Sequence, residues 1–345
     1  MSDKIKIGVL GAGTWGVALS RMLHNAGHNV TIWSAIEKEI DDLAASGRHP
    51  NMPEVELPKQ LIYTKEIKTV CEGKDLILFA VPSPYVRITA RKASPFISKG
   101  QIIVDAAKGI EENTFYTMTE IIVEELQNPD VKVVALSGPT HAEEVIRDLP
   151  TTIVSACSDI EAAEYVQNVF NTDYMRVYTN NDVHGVELCG ALKNIIAVAC
   201  GIAHGLGCGD NARAALITRG IAEMSRLGVV MGCQAHTFFG LTGIGDLIVT
   251  ATSMHSRNFR CGILLGKGVP IEEALKQVGM VVEGINALPA ALKLSKKYNV
   301  RMPIIETVNA VVSGNIDVSN VVRLLMSRDL KSEIGIASFD ECYHH

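Results

Sequence analysis

Lys193 is the only formally charged residue between Leu188 and Gly209, in the stretch LCGALKNIIAVACGIAHGLGCG. A lysine in such surroundings either snorkels to a surface or performs a task. Partial desolvation lowers its pKa, which suits proton exchange with a substrate oxygen near neutral pH. Its neighbour Asn194 offers a donor to a carbonyl or ribose, or a local cap. Further along, the turn Gly243-Ile244-Gly245-Asp246 can bring Asp246 close to a ligand or to Lys193. Ser256-Arg257-Asn258 then combines a hydroxyl, a bidentate guanidinium and an amide. That set fits a phosphate or carboxylate, although polar triplets also open helices as caps. Ala107-Lys108-Gly109 and Ser137-Gly138-Pro139-Thr140 each follow an apolar strand-like run. Both therefore fall at the carboxyl edge of a sheet, where ligands bind in doubly wound folds. Turn chemistry alone also accounts for the Gly-Pro.

A second constellation opens the chain. Gly11-Ala12-Gly13-Thr14-Trp15-Gly16 directly follows a β-rich run and begins a helical pattern. In that context Gly11 permits the tight turn, Gly13 removes a side chain that would block a pyrophosphate, and Gly16 lets the helix approach the sheet. The pyrophosphate would rest on free N–H groups at the positive end of the helix dipole. Coenzyme choice is open. An NAD site usually carries an acid at the end of the second strand, whereas here that strand ends Trp33-Ser34-Ala35-Ile36-Glu37. Glu37 lies well into the next helix, and only Lys38 or Arg48 offers a grip for a 2′-phosphate. The missing acid tilts the reading towards NADPH, with NADH retained.

These residues need a frame. Ile5–Leu10, Val30–Trp33, Asp75–Val81, Gln101–Asp105, Val131–Leu136 and Thr151–Ser155 are apolar runs separated by helical patterns such as 15–26 and 37–45. Near-continuous apolar strands alternating with helices predict an α/β, Rossmann-type domain with a parallel-rich sheet covered on both faces. Strand signals fade after about Tyr178, and an all-α domain follows. The expected division is 1–180 for the dinucleotide and 181–345 for substrate and catalysis. The segment 46–60, with Pro50, Pro53 and Pro58, reads as a mobile surface excursion.

Bulk properties bound the function. At 345 residues the chain exceeds one ordinary hydrophobic core. A net charge of −6 argues against a general nucleic-acid binder. The beginning MSDKIKIGVL lacks signal-peptide anatomy. The most membrane-like stretch, 188–207, carries Lys193 and three glycines, so a buried helix is the better reading than a span. The eight cysteines form no CxxC pair and no zinc-ligand spacing, which indicates a reducing, cytoplasmic setting and no metal site. His24 and His28 read as solvated, His204 as a satisfied helix residue, and His184 as a weak candidate. The terminal His344–His345 reads as a tag remnant.

Taken together, GAGTWG (11–16), AAKGIE (106–111), SGPTHAEE (137–144), the block 185–220, GLTGIGDLIVTATSMHSRNFRCG (240–262) and VVEG (281–284) span nearly the whole chain. In this order they resemble the bacterial-type NAD(P)-dependent glycerol-3-phosphate dehydrogenases. The resemblance implies reduction of dihydroxyacetone phosphate to sn-glycerol 3-phosphate, the glycerophospholipid headgroup precursor. It implies Lys193 as the proton donor and acceptor at the C2 oxygen, and Lys108 in contact with substrate and cofactor. It places Gly138, Thr140, Asp246, Ser256, Arg257 and Asn258 on the substrate. Thr14, Trp15, Ala142, Arg257, Val281 and Glu283 would line the cofactor. Many members carry His or Arg at the NADP-selective position where this chain has Ser34-Ala35.

The mechanism expected from these residues is hydride delivery to C2 while Lys193 protonates the oxygen and stabilises the developing alkoxide. Asp246 would orient Lys193, and phosphate binding by Arg257 and Asn258 would close the domains. Two rival readings are a β-hydroxyacid dehydrogenase, which leaves the Ser-Arg-Asn set unexplained as a phosphate grip, and a non-catalytic dinucleotide sensor, which leaves Lys193 unexplained. Buried helical surface is compatible with a homodimer.

Overall fold

The computed structural model describes residues 4–327 and Leu330; Cys342 and His344–His345 lie outside the described residues. Eight strands form one sheet: β1 (Lys6–Leu10), β2 (Asn29–Trp33), β3 (Ile62–Thr64), β4 (Leu76–Phe79), β5 (Ile102–Asp105), β6 (Lys132–Ser137), β7 (Thr151–Ala156) and β8 (Met175–Asn180). Their order is β3-β2-β1-β4-β5-β6-β7-β8. Every neighbouring pair is parallel except β6 and β7. The order from β3 to β6 reverses at β1, and that reversal opens a crevice at the carboxyl ends of β1 and β4.

Helices α1 (Thr14–Asn25), α2 (Glu37–Ser46), α3 (Ile67–Cys71), α4 (Val86–Ala93), α5 (Met118–Leu126), α6 (Ala142–Val145) and α7 (Ile160–Phe170) connect the strands. They cover both faces of the sheet: one core joins α1 and α7 to it, and another joins α4 and α5. This is why β4 (LILF) is buried at every position rather than at alternate ones. Two strands escape a search for apolar runs. β3 has only three residues, and β8 alternates buried Met175 and Val177 with exposed Arg176 and Tyr178. That alternation fits an edge strand with one wet face.

The expected surface excursion is tied down instead. Met52, Leu57 and Leu61 are buried, His49 pairs with Met52 in an isolated bridge, and Asn51 Nδ2 donates to Thr14 Oγ1 at 3.1 Å. Apolar anchors at these positions outweigh the loop-like proline spacing.

The second half is helical: α8 (Val183–Gly205), α9 (Asp210–Val230), α10 (Asp246–Thr252), α11 (Arg257–Gly266), α12 (Ile271–Val278), α13 (Glu283–Lys297), α14 (Pro303–Val312) and α15 (Val321–Met326). The Asp182 carboxylate starts α8 by accepting from Gly185 N, and it also holds Gln234 N and Thr237 Oγ1. The helix is long and apolar enough to cross a bilayer, yet 94% of its most apolar window is buried within the protein. A helix apolar on all sides belongs at the centre of a domain. Each fully buried Leu or Ile on it, such as Leu188, Leu192, Ile195 and Ile196, contributes roughly 1.5–3 kcal/mol. Glycines bring α11 hard against α8. A Cβ on Gly201 would lie 2.2 Å from Phe259 O, and one on Gly262 would lie 2.2 Å from Val198 O. That close crossing sets the start of α11 beside the middle of α8.

Candidate active site

Lys193 occupies the middle of α8 and is 4% exposed, so it does not snorkel. A π-helical turn, Leu241–Gly245, leads into α10 and delivers Asp246 to the lysine. Lys193 Nζ lies 2.7 Å from Asp246 Oδ1 and 2.6 Å from Thr250 Oγ1, one turn further along the same helix face. The Thr250 hydroxyl donates onward to Asp246 O at 2.6 Å. From the sheet edge, Lys108 Nζ reaches Asp246 Oδ2 at 2.7 Å and Gly138 O at 3.1 Å. The Lys108 side chain runs alongside Gly190 of α8, where a Cβ would lie 3.4 Å from its Cγ. The two domains thus meet through one carboxylate shared by two ammonium groups.

The charges do not balance. Two cations face one anion in a buried place, and the excess falls on the more deeply buried lysine. Burial is the main cause that lowers Lys193 from 10.5 to about 7; Asp246 opposes it, and Lys108 and Arg257 reinforce it. Burial pushes Asp246 upwards, but Lys108 and Lys193 together outweigh it and hold the carboxyl below its ordinary range. The cluster therefore carries net positive charge that a bound anion would neutralise, next to a lysine able to give up a proton near pH 7.

The Ser-Arg-Asn triplet divides into three jobs. Ser256 is the N-cap of α11, its Oγ accepting from Phe259 N at 3.2 Å. Asn258 knits helices together: its Nδ2 donates to Asn194 Oδ1 at 2.9 Å, and its Oδ1 accepts from Gly284 N at 2.8 Å. Asn194 in turn donates to Gly190 O at 3.0 Å. Most of the Asn258 amide is thus committed to joining α8, α11 and α13, leaving one N–H for a ligand. Arg257 differs. Its guanidinium feels Glu283 and Glu143 but has no hydrogen bond or ion pair among the described residues, and burial lowers its pKa.

On the dinucleotide side, Gly11 has φ +127°, and a Cβ there would lie 2.7 Å from Ala80 O. A Cβ on Gly16 would lie 2.1 Å from Gly11 O, so the helix approaches the strand only without one. Gly13, the N-cap of α1, is exposed, and a Cβ on it would meet nothing within 4 Å. The first turn of α1 has no acidic residue and no side-chain cap. An uncapped helix start beside the open space at Gly13 suits a pyrophosphate. Trp15 and Ala142 stand at the starts of α1 and α6, and Thr140 follows β6 with its hydroxyl on Gly138 O at 3.2 Å. Val281 precedes α13, whose first residue, Glu283, grips the opposite domain: Ser83 Oγ and N donate to its carboxylate at 2.6 and 3.1 Å.

Ser34 closes β2, is buried, and donates to Glu39 Oε2 at 2.6 Å, while Ala35 beside it is exposed. The two cations considered for a 2′-phosphate are engaged elsewhere: Lys38 pairs with Asp42 at 2.6 Å, and Arg48 binds Pro53 O at 2.7 Å and Glu56. His28 is buried rather than solvated, and burial lowers its pKa. Thr250, Ser83 and Asn51 join the site without having stood out in the chain. Of these only Thr250 carried a signal, four residues after Asp246 and therefore on its face of the helix.

Residues 6–163 match the NAD-dependent glycerol-3-phosphate dehydrogenase N-terminus family, and residues 182–323 match the corresponding C-terminus family. The chain is 59% identical over 333 residues to glycerol-3-phosphate dehydrogenase [NAD(P)+] 2 of Lactobacillus delbrueckii subsp. bulgaricus, covering 95% of this chain and 99% of that one. It is 51% identical to glycerol-3-phosphate dehydrogenase [NAD(P)+] of Fusobacterium nucleatum, covering 96% and 99%. A crystal structure of glycerol-3-phosphate dehydrogenase from Coxiella burnetii superimposes with a TM-score of 0.90 at 36% identity, covering 94% of this chain and 99% of that one. The chain belongs to the NAD-dependent glycerol-3-phosphate dehydrogenase family.

Proposed function

We propose that this protein reduces dihydroxyacetone phosphate to sn-glycerol 3-phosphate with NADH or NADPH, providing the headgroup precursor of glycerophospholipids in the cytoplasm. The carrying observation is the buried ammonium of Lys193, 2.7 Å from Asp246 and close enough to Arg257 to feel its charge. A bound coenzyme supplies the hydride for C2. Lys193 gives its proton to the ketone oxygen as negative charge develops there, and then recovers one from solvent; in the reverse direction neutral Lys193 takes the hydroxyl proton. Lys108 and Asp246 fix the Lys193 ammonium, and Thr250 limits its rotation. Gly138, Thr140, Ser256, Arg257 and Asn258 enclose the substrate, with the unengaged guanidinium of Arg257 as the principal phosphate ligand.

Gly11, Gly13, Thr14, Trp15, Gly16, Ser34, Ala35, Lys108, Ala142, Arg257, Val281 and Glu283 line the coenzyme cleft. The division into a dinucleotide domain, 1–180, and a catalytic domain, 181–345, follows from this assignment. Exposed apolar side chains on the helical half, including Val229, Val230 and Met326, support a homodimer, which the molar mass by light scattering would test. The activity is tested by initial-rate oxidation of NADH and NADPH with and without dihydroxyacetone phosphate, using β-hydroxyacids as controls. Oxidation that depends on the phosphorylated ketone supports the reading; coenzyme binding with no such turnover removes it.

A further inference from the structure

We propose that Glu39, anchored by Ser34 at the carboxyl end of β2, reads the ribose 2′-hydroxyl of the coenzyme and makes this enzyme selective for NADH over NADPH. The inference rests on the dinucleotide assignment above and goes beyond it, because family membership leaves both coenzymes open. In doubly wound folds the adenosine ribose lies over the ends of the first two strands, and an acid at the second strand accepts from its 2′-hydroxyl. Neither Ser34 nor Ala35 is acidic, so along the chain this position looks empty of charge. The fold fills it from five residues away. The Ser34 hydroxyl donates to Glu39 Oε2 at 2.6 Å and also accepts from Ile36 N at 3.1 Å, which fixes both the serine and the carboxylate. Ser34 directly follows Trp33, whose carbonyl accepts from Gly11 N at 2.8 Å, so this carboxylate flanks the glycine turn itself.

The surroundings disfavour a 2′-phosphate. Helix α2 has four acids, Glu37, Glu39, Asp41 and Asp42, and one base, Lys38. That base is paired with Asp42, Lys65 is paired with Asp41 and Glu37, and Arg48 is held by Pro53 O and Glu56. His49 faces Glu39, but burial lowers its pKa, so it supplies no permanent cation. A phosphate dianion placed here would meet a carboxylate with Lys38, Lys65 and Arg48, the nearby cations among the described residues, already paired, whereas a hydroxyl would find an acceptor. A hydrogen bond to a charged group is worth roughly 10- to 100-fold in binding.

Titration calorimetry of the full chain with NADH and with NADPH, in the wild type and in Glu39→Gln and Ser34→Ala, tests this directly. The wild type should bind NADH at least about tenfold more tightly. Glu39→Gln should move the NADH-to-NADPH affinity ratio about 10- to 100-fold towards NADPH, and Ser34→Ala should move it the same way by less. Equal or tighter binding of NADPH by the wild type would overturn the inference, as would a Glu39→Gln protein, folded by circular dichroism, with an unaltered ratio. Those results leave ketone-dependent turnover intact, so they are distinct from failure of the dehydrogenase reading, in which case neither coenzyme supports turnover.

Discussion

Replacing Lys193 by Met should stabilise the protein while disabling it. Methionine has nearly the length of the lysine and no charge, so the change removes one of two ammonium groups around Asp246 without leaving that carboxylate alone: Lys108 still contacts it at 2.7 Å. Breaking a buried pair normally destabilises because it strands a charge. Here the wild type already holds a surplus cation, and the substitution leaves a balanced pair. The fall of the Lys193 pKa from 10.5 to about 7, the net of burial and neighbouring cations against the pull of Asp246, corresponds to about 5 kcal/mol against the charged form. The cluster shares that figure, and the bond to Thr250 is lost, so a net gain of about 2 kcal/mol is expected, or a few degrees in Tm. The pH dependence carries the sign. A lysine with a depressed folded-state pKa destabilises fully below about pH 7, and the penalty fades as pH rises towards 10.5, because the unfolded chain then binds more protons than the folded one. Thermal melts of both proteins from pH 6.5 to pH 10 should therefore show a gap that is widest at the acid end. Turnover should fall about 10³-fold or more, with loss of both the proton donor and the charge that stabilises the alkoxide, while coenzyme affinity changes little. A variant less stable than the wild type at pH 7, or one with near-normal turnover, would refute the reasoning.

Because Lys193 must be protonated to reduce the ketone and neutral to oxidise the alcohol, kcat/KM for reduction should decline as pH rises through about 7, and that for oxidation should decline as pH falls through it; profiles that move together in the two directions would contradict this. Arg257→Ala should raise KM for dihydroxyacetone phosphate by roughly 10- to 100-fold, with little loss in Tm because the guanidinium forms no hydrogen bond among the described residues; unphosphorylated dihydroxyacetone should be affected far less, and an equal effect on both ketones would count against a phosphate role. Asn258→Ala should instead lower stability by about 1–3 kcal/mol, and Tm with it, since it unties α8, α11 and α13; melting curves unchanged from wild type would show that those bonds contribute nothing.

Much of this protein could be read along the chain. The glycine fingerprint declares its own geometry, since a tight turn and a close helix approach need residues without side chains at fixed spacing. Fully buried strands such as β4 appear as unbroken apolar runs, and the central helix α8 appears as an apolar stretch around a single charge. Those are local properties of composition and period, and they also single out Lys193 as anomalous. Strand β8 and the anchoring of segment 46–60 were illegible because half of their residues face solvent or because the apolar anchors are too sparse to form a period.

What only the tertiary structure decided is partnership. The carboxylate of Asp246 lies 53 residues from Lys193 and 138 from Lys108, and neither pairing leaves a mark in the intervening sequence. Ser256-Arg257-Asn258 reads as one ligand set, yet the fold assigns the serine to a cap, the asparagine to helix bracing and leaves the arginine unengaged. Glu39 shows no role until Ser34 draws it to the end of β2. The physical reason is common to all three: residue type and spacing define what a side chain can do, but its charge state and hydrogen-bond vacancies depend on neighbours that only the folded chain assembles, across the two domains for Lys108 and Asp246, between helices of one domain for Asn258, and around a strand end for Ser34 and Glu39.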